Sequence, residues 1–232
     1  MEEKDLEFLN SFTDKLEKTV VDLCTADELL DGKMLEVEEL DEKWRTSAPE
    51  YMAEAVPQIA EYPLAAIAWA CYVGMGAAVL WDKSWNEHKD IEDWYSIMAK
   101  PRGFDCLDEY VVECLVGYPL NGENASKLES TIRKCANAAH TMIRKEGIEP
   151  QSVMAFHLFA RVAKVFYRLG VSLELRHRGY KYVKMNVNFA GEAPVSKSDD
   201  VNIHKNCIIF ENFCKILNNG RDYFLYLHIE TY

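Results

Sequence analysis

The stretch Tyr62-Pro-Leu-Ala-Ala-Ile-Ala-Trp-Ala-Cys-Tyr-Val-Gly-Met-Gly-Ala-Ala-Val-Leu-Trp81 contains no charged residue, and Glu61 and Asp82 flank it. How this segment is read decides the fold. As a helix its twenty residues would rise about 30 Å, enough to cross a bilayer. Ala66, Ala70, Gly74 and Ala78 recur every four residues, a small-residue row that lets two helix backbones come close. A single membrane span is therefore one reading. Three features favour a buried helix in a water-soluble protein instead. Alanine and glycine carry little transfer free energy, Tyr62 and Pro63 fall inside the window, and the flanks have no Lys/Arg bias that would set an orientation. The expectation is a buried central helix whose small row meets its closest neighbour. Gly74→Leu should then destabilise by overpacking.

Outward from this segment, residues 1–178 read as successive helices. Thr25-Ala-Asp-Glu28, Ser47-Ala-Pro-Glu50 and Ser84-Trp-Asn-Glu87 each fit the capping box and predict helix starts. Asp105 and Asp108 after Gly103 predict another start, and Pro150 suits the first turn of the next helix. Breaks are expected at Pro57, Pro63, Pro101–Gly103, Gly117–Gly122 and Gly147. Two consecutive amphipathic stripes stand out: Leu128, Ile132, Ala136, Ala139 and Ile143, then Met154, Leu158, Val162, Val165 and Leu169. The short link around Gly147 predicts that they pair as an antiparallel hairpin, which would bring His140 level with His157.

Beyond residue 178 the texture changes. Val183, Met185, Val187 and Phe189 alternate with polar residues, a strand pattern, and Tyr223, Leu225, Leu227 and Ile229 suggest a second strand. Residues 206–219 fit a helix better than the hairpin that Asn219-Gly220 would allow. The fold class expected is mainly α: a multi-helix orthogonal or antiparallel bundle around the buried small-residue helix at 62–81. A small mixed α/β appendage at 179–232 follows the helical domain at 1–178.

The chain has 232 residues, and 49% of them are hydrophobic, ample material for a packed core. The net charge of −12 argues against a general nucleic-acid binder and against adhesion to an anionic membrane. The acidic opening Met1-Glu2-Glu3-Lys4-Asp5 lacks the apolar run of a secretory signal. The seven cysteines are odd in number, scattered and never spaced Cys-x-x-Cys. Reduced thiols in the cytoplasm is the simplest expectation.

Two constellations could carry a site. Between Arg161 and Lys184 seven cations face Glu174 alone. His157, Arg161, Lys164 and Arg168 share one helix face, and Arg133, Asn137, His140 and Arg144 repeat the spacing one helix earlier. Arginines in such rows can clamp phosphate or carboxylate. The two stripes lie on opposite sides of their apolar faces, which argues against convergence. Pairing with Glu36, Glu38, Glu39, Asp41 and Glu42 is the plainer use of the cations. The second constellation is Trp81, Asp82, Trp85 and His88, followed by Asp90, Glu92, Asp93 and Trp94. It could stack a cationic or apolar ligand, or it could simply anchor one helix to the next.

Metal signals are poor. Glu174-Leu-Arg-His177 is the one Glu-x-x-His, and its cationic surroundings oppose a metal ion. Asp105-Cys-Leu-Asp108-Glu109 has no second acidic motif to complete a metal site and reads as a cap. No phosphate loop, dinucleotide fingerprint, nucleophile elbow or zinc spacing is present, so no cofactor is expected. The sequence predicts a helical binding or assembly module, with a protein partner, a second copy of itself or a small anion as occupant. The rivals are an all-helical enzyme acting on a phosphorylated or carboxylated small molecule, and a protein anchored through residues 62–81.

Overall fold

A computed structural model describes residues 3–181. The expected strands, loop and 206–219 helix fall outside the described residues. Within them the protein is mainly helical, without strands: α1 (Glu3–Ala26), α2 (Glu38–Gln58), α3 (Pro63–His88), α4 (Trp94–Ala99), α5 (Leu107–Tyr110), α6 (Glu123–Lys145) and α7 (Val153–His177). α5 runs on into a π-helical segment, Val111–Val116.

The uncharged segment is α3, and fourteen of its residues, from Ala66 to Leu80, are buried. It is the one helix among the described residues long and apolar enough to cross a membrane, and 78% of its most apolar window is buried inside the fold. Its closest and most extensive partner is α7. At the crossing, a Cβ on Gly74 would overlap the Tyr167 carbonyl, and a Cβ on Gly170 would overlap the Cys71 carbonyl. The small row therefore marks a reciprocal backbone contact. Any side chain at either glycine would force the helices apart.

The predicted hairpin of α6 and α7 does not form. Each of these helices packs on both α1 and α3 and barely meets the other. Their apolar stripes are buried as expected, with Leu128, Ile132, Ala136 and Ala139 on α6 and Leu158, Val162, Val165 and Leu169 on α7. The short Gly147 link brings the chain back across the width of α1 and α3 instead of folding α7 onto α6. Both stripes are instead buried against α1 and α3. His140 and His157 consequently do not face each other across a helix pair.

Two of the three capping boxes are spent elsewhere. Thr25 ends a helix instead of starting one. Its hydroxyl donates to the Val21 carbonyl at 2.7 Å and accepts from Gly32 N–H at 3.0 Å. Ser47 sits inside α2, where its Oγ accepts the Trp94 N–H of α4 at 2.8 Å. Ser84 interrupts α3 with φ −139° and ψ 27°, a kink at which one helical stretch ends and the next begins, as its capping box predicts. Pro57 lies within the last turn of α2, while Pro63 opens α3. Ser152, two residues after Pro150, caps α7 by accepting from Ala155 N–H at 3.1 Å.

α2 and α4 close over one side of this core through aromatic contacts. Trp44 stacks on Tyr167 at 4.7 Å, and Tyr51 meets Tyr95 edge-on at 5.5 Å. The two buried phenols each donate to a backbone carbonyl, Tyr51 to Ala66 at 2.6 Å and Tyr167 to Leu40 at 2.8 Å. Each hydroxyl thereby offsets its own desolvation and fixes α2 against α3 and α7.

Candidate functional site

The basic stripe of α7 is largely occupied by the protein itself. Arg168 donates to Glu17 of α1 and to Glu36 of the following loop, both at 2.8 Å, with Asp41 at 4.0 Å. The guanidinium ties Glu36 of the loop and, more loosely, Asp41 of α2 to the first helix, while Glu42 pairs with Arg45 within α2. Arg161 donates to Asn10 of α1 at 3.1 Å. His157 is half-buried, and burial pushes its imidazole pKa down, with Arg161 adding to the effect. Lys164 is exposed along its stem and makes no hydrogen bond or ion pair among the described residues, yet burial around its amine pushes its pKa down, against the pull of Asp41 and Glu17.

The stripe of α6 behaves differently. Arg133 pairs with Glu129 one turn earlier, and Asn137 donates to the Arg133 carbonyl at 3.0 Å. At the C-terminal end, His140, Thr141, Arg144 and Lys145 line an open depression of about 300 Å³. None of these three basic side chains makes an ion pair or hydrogen bond among the described residues. The C-terminus of α6 carries partial negative charge, which Arg144 and Lys145 complement.

The tryptophan and carboxylate cluster divides in two. Around Trp85 and His88 the cation is internal. Lys43 of α2 is 8% exposed, and its ammonium donates to the Lys89 and Ile91 carbonyls at 2.5 and 2.6 Å. It lies 5.1 Å from the Trp94 ring and 6.0 Å from that of Trp85. Trp94 in turn donates its indole N–H to the His88 carbonyl at 2.9 Å, while His88 Nδ1 lies 3.0 Å from the Ser84 carbonyl. The aromatic surface is thus used to cover a lysine of the same chain. Around Trp81 and Asp82 the partners come from the end of α7. Trp81 meets Tyr180 edge-on at 5.7 Å, and Asp82 accepts from Tyr180 at 2.6 Å and from Arg178 at 2.7 Å. The Tyr180 hydroxyl and the Arg178 guanidinium hold the Asp82 carboxyl below the usual carboxylate range.

Arg178 links Asp82 to the group that reading the sequence did not single out as a site. Glu174 is 1% exposed, and its Oε1 accepts from Arg178 Nε at 2.7 Å. Its Oε2 is buried without a hydrogen-bond partner, with His177 Nδ1 at 3.7 Å. Burial pushes the Glu174 carboxyl pKa up to about 7, against the pull of Arg178 and Lys83. Tyr118 packs on His177 with ring centroids 5.1 Å apart. The π-helical segment delivers that tyrosine: it ends at Gly117 with φ 89°, and the Gly117 and Tyr118 N–H groups both reach the Val112 carbonyl. π-helical turns often occur at functional sites, and a carboxyl poised near neutrality beside a histidine can take or give a proton.

The signal for Glu174 was present in the spacing. Gly170, Glu174 and Arg178 follow at intervals of four, so the acid sits on the face that crosses α3. As a Glu-x-x-His it was weighed only as a metal motif. No group of three or more metal-ligating side chains comes together among the described residues.

No known family, curated protein or solved structure matches the chain.

Proposed function

We propose that the protein is a helical binding module that takes an anionic partner at the C-terminal end of α6. The observation that carries this reading is the depression lined by His140, Thr141, Arg144 and Lys145, whose three basic groups are unpaired among the described residues. In a chain of net charge −12, cations without internal partners are the groups left for an external anion. The contrast with Arg168, bound to two carboxylates, supports the choice of α6 over α7. A phosphoryl or carboxylate group seated there would accept hydrogen bonds from Arg144 and the Thr141 hydroxyl, with Lys145 as a point charge. The burial of α3 supports a protein that packs this helix for its own core and does not use it as an anchor.

The test is a titration with pyrophosphate, followed through backbone amide NMR shifts at low ionic strength. Shifts should concentrate on residues 140–146, weaken as salt is added and be reduced at least tenfold in affinity by Arg144→Ala with Lys145→Ala. Arg133→Ala, one face of the same helix but already paired, should leave the affinity within about twofold. Absence of shifts near Arg144, or equal loss from Arg133→Ala, would sink the reading.

A second reading rests on Glu174. Its raised carboxyl beside His177 and Tyr118 favours proton-transfer chemistry on a small molecule, the enzyme alternative. A proton-transferring site would bind its ligand around Tyr118 and His177, so amide shifts clustered there instead of at α6 would favour it.

A further inference from the structure

Cys24 of α1 and Cys135 of α6 place their sulfurs 3.7 Å apart, and both residues are fully buried. The Cys135 sulfur is also 3.9 Å from the Val20 carbonyl, which its S–H can reach while its lone pair accepts from Cys24. Polar ties on both helices hold this approach. Asp27, three residues after Cys24, accepts from Thr131 at 2.7 Å and from Lys134 at 2.8 Å, and these two residues lie in the turn of α6 that leads into Cys135. The two sulfurs are therefore fixed as neighbours between helices 111 residues apart in sequence. We propose that Cys24 and Cys135 form a modification site at which a small hydroperoxide, hydrogen peroxide being the simplest, converts the pair to a disulfide joining α1 to α6.

The chemistry closes on the groups present and the peroxide alone. One sulfur attacks a peroxide oxygen, the O–O bond breaks, and a sulfenic acid and one water form. The second sulfur then attacks the first, the S–O bond breaks, and a second water leaves with the remaining thiol proton. Two thiols are oxidised and one peroxide is reduced to two waters. A peroxide little larger than water is the oxidant that suits a buried pair, because a bulky disulfide reagent would have to form a mixed disulfide inside the core. The hydrogen bond from Cys24 to Cys135 and burial together push the Cys24 thiol up, so attack waits for local opening and is slow. The partly and fully exposed Cys106 and Cys114 react first.

The experiment uses the full chain with Cys106, Cys114, Cys207 and Cys214 each changed to serine, leaving the three buried thiols. It is held with hydrogen peroxide until free cysteine in the same tube is fully oxidised and then for several hours more. The expected product has lost two hydrogens by intact mass. Digestion without reductant yields a peptide joining Cys24 to Cys135, and the melting temperature rises by several degrees because a long loop is closed. Cys71→Ala should leave the yield unchanged, and Cys24→Ala or Cys135→Ala should abolish it. Mapping wild-type protein under the same treatment gives an answer even if a variant fails to fold. Full alkylation of Cys24 and Cys135 after unfolding would overturn the proposal. So would a Cys24–Cys71 link in place of the expected one, or a sulfinic acid at either cysteine without the cross-link.

Discussion

The middle and one end of the α3–α7 interface are built on opposite principles. In its middle, Gly74 and Gly170 let backbone touch backbone. One turn on from Gly170, Glu174 puts a carboxyl into the same interface, held by one guanidinium and left with one unpaired oxygen. The glycine crossing tolerates no change of volume, while the glutamate end responds to pH. A single helix pair can thus be rigid at its crossing and titratable at its end.

Breaking the crossing should have the largest effect. Gly74→Leu must displace the Tyr167 carbonyl and the Val171 amide, which are backbone atoms with no rotamer to escape into. A loss on the order of 3–5 kcal/mol is expected, a large part of the stability of a domain this size. Gly76→Ala offers the contrast within α3, because there the added carbon meets the flexible end of Met98. Its cost should be well below that of Gly74→Leu, measured as denaturant midpoints at constant slope. Equal costs for the two variants would mean that the crossing is not the tight point of the core.

The glutamate end sharpens the comparison through pH. The folded-state pKa of Glu174, about 7, lies above its ordinary 4.5. The folded form therefore prefers the neutral acid. That contribution is fully present below pH 4.5 and is lost as pH rises through 7, with a ceiling of about 3 kcal/mol. Glu174→Gln removes the titration, keeps an oxygen for Arg178 and supplies an amide where Oε2 lacks a partner. The variant should gain stability relative to wild type by about 1–3 kcal/mol between pH 5 and pH 8. A pH-independent difference between the two proteins would show that the carboxyl is not protonated in this range.

What the sequence disclosed followed from what each signal depends on. The row Ala66, Ala70, Gly74, Ala78 specifies close approach, and it found α3 and its burial, because backbone contact requires small residues wherever the partner lies. It could not name the partner, since Gly170 occurs once in a stripe of larger residues. The capping boxes at Thr25 and Ser47 misled because a serine or threonine hydroxyl serves any nearby amide. Ser47 caps a helix 47 residues away, which only the tertiary fold decides. The α6–α7 hairpin failed for a similar reason: a short link limits distance but does not choose between the sister helix and α1 with α3. The basic stripes were legible as faces, and of the acids 36–42 named as their partners Glu36 and Asp41 lie against Arg168 while Arg133 pairs with Glu129 instead. Spacing places Glu174 on the face that crosses α3, but the depression at His140 and Arg144 and the unpaired oxygen of Glu174 depend on which neighbours stop short, and spacing along one helix does not report that.

The smallest expected effect tests the same distinction on the outer face of α7. Arg168 and Lys164 sit one turn apart in one stripe, yet Arg168 joins Glu17 and Glu36 while Lys164 is exposed. Arg168→Ala strips α1 and the loop before α2 of their shared cation, and a cost of about 1–2 kcal/mol is expected for a part-buried pair of charge-assisted bonds. Lys164→Ala removes an ammonium that makes no hydrogen bond or ion pair among the described residues, and whose burial offsets the attraction of Asp41 and Glu17, so it should stay within about 0.5 kcal/mol of wild type. The two thermal melts at low and high salt decide the matter. Salt should erode the Arg168 cost and leave the Lys164 value where it is. A Lys164→Ala cost matching that of Arg168→Ala would mean that the stripe acts as one unit. The division between cations bound within the fold and cations left over would then collapse, and with it the preference for α6 as the anion-binding end.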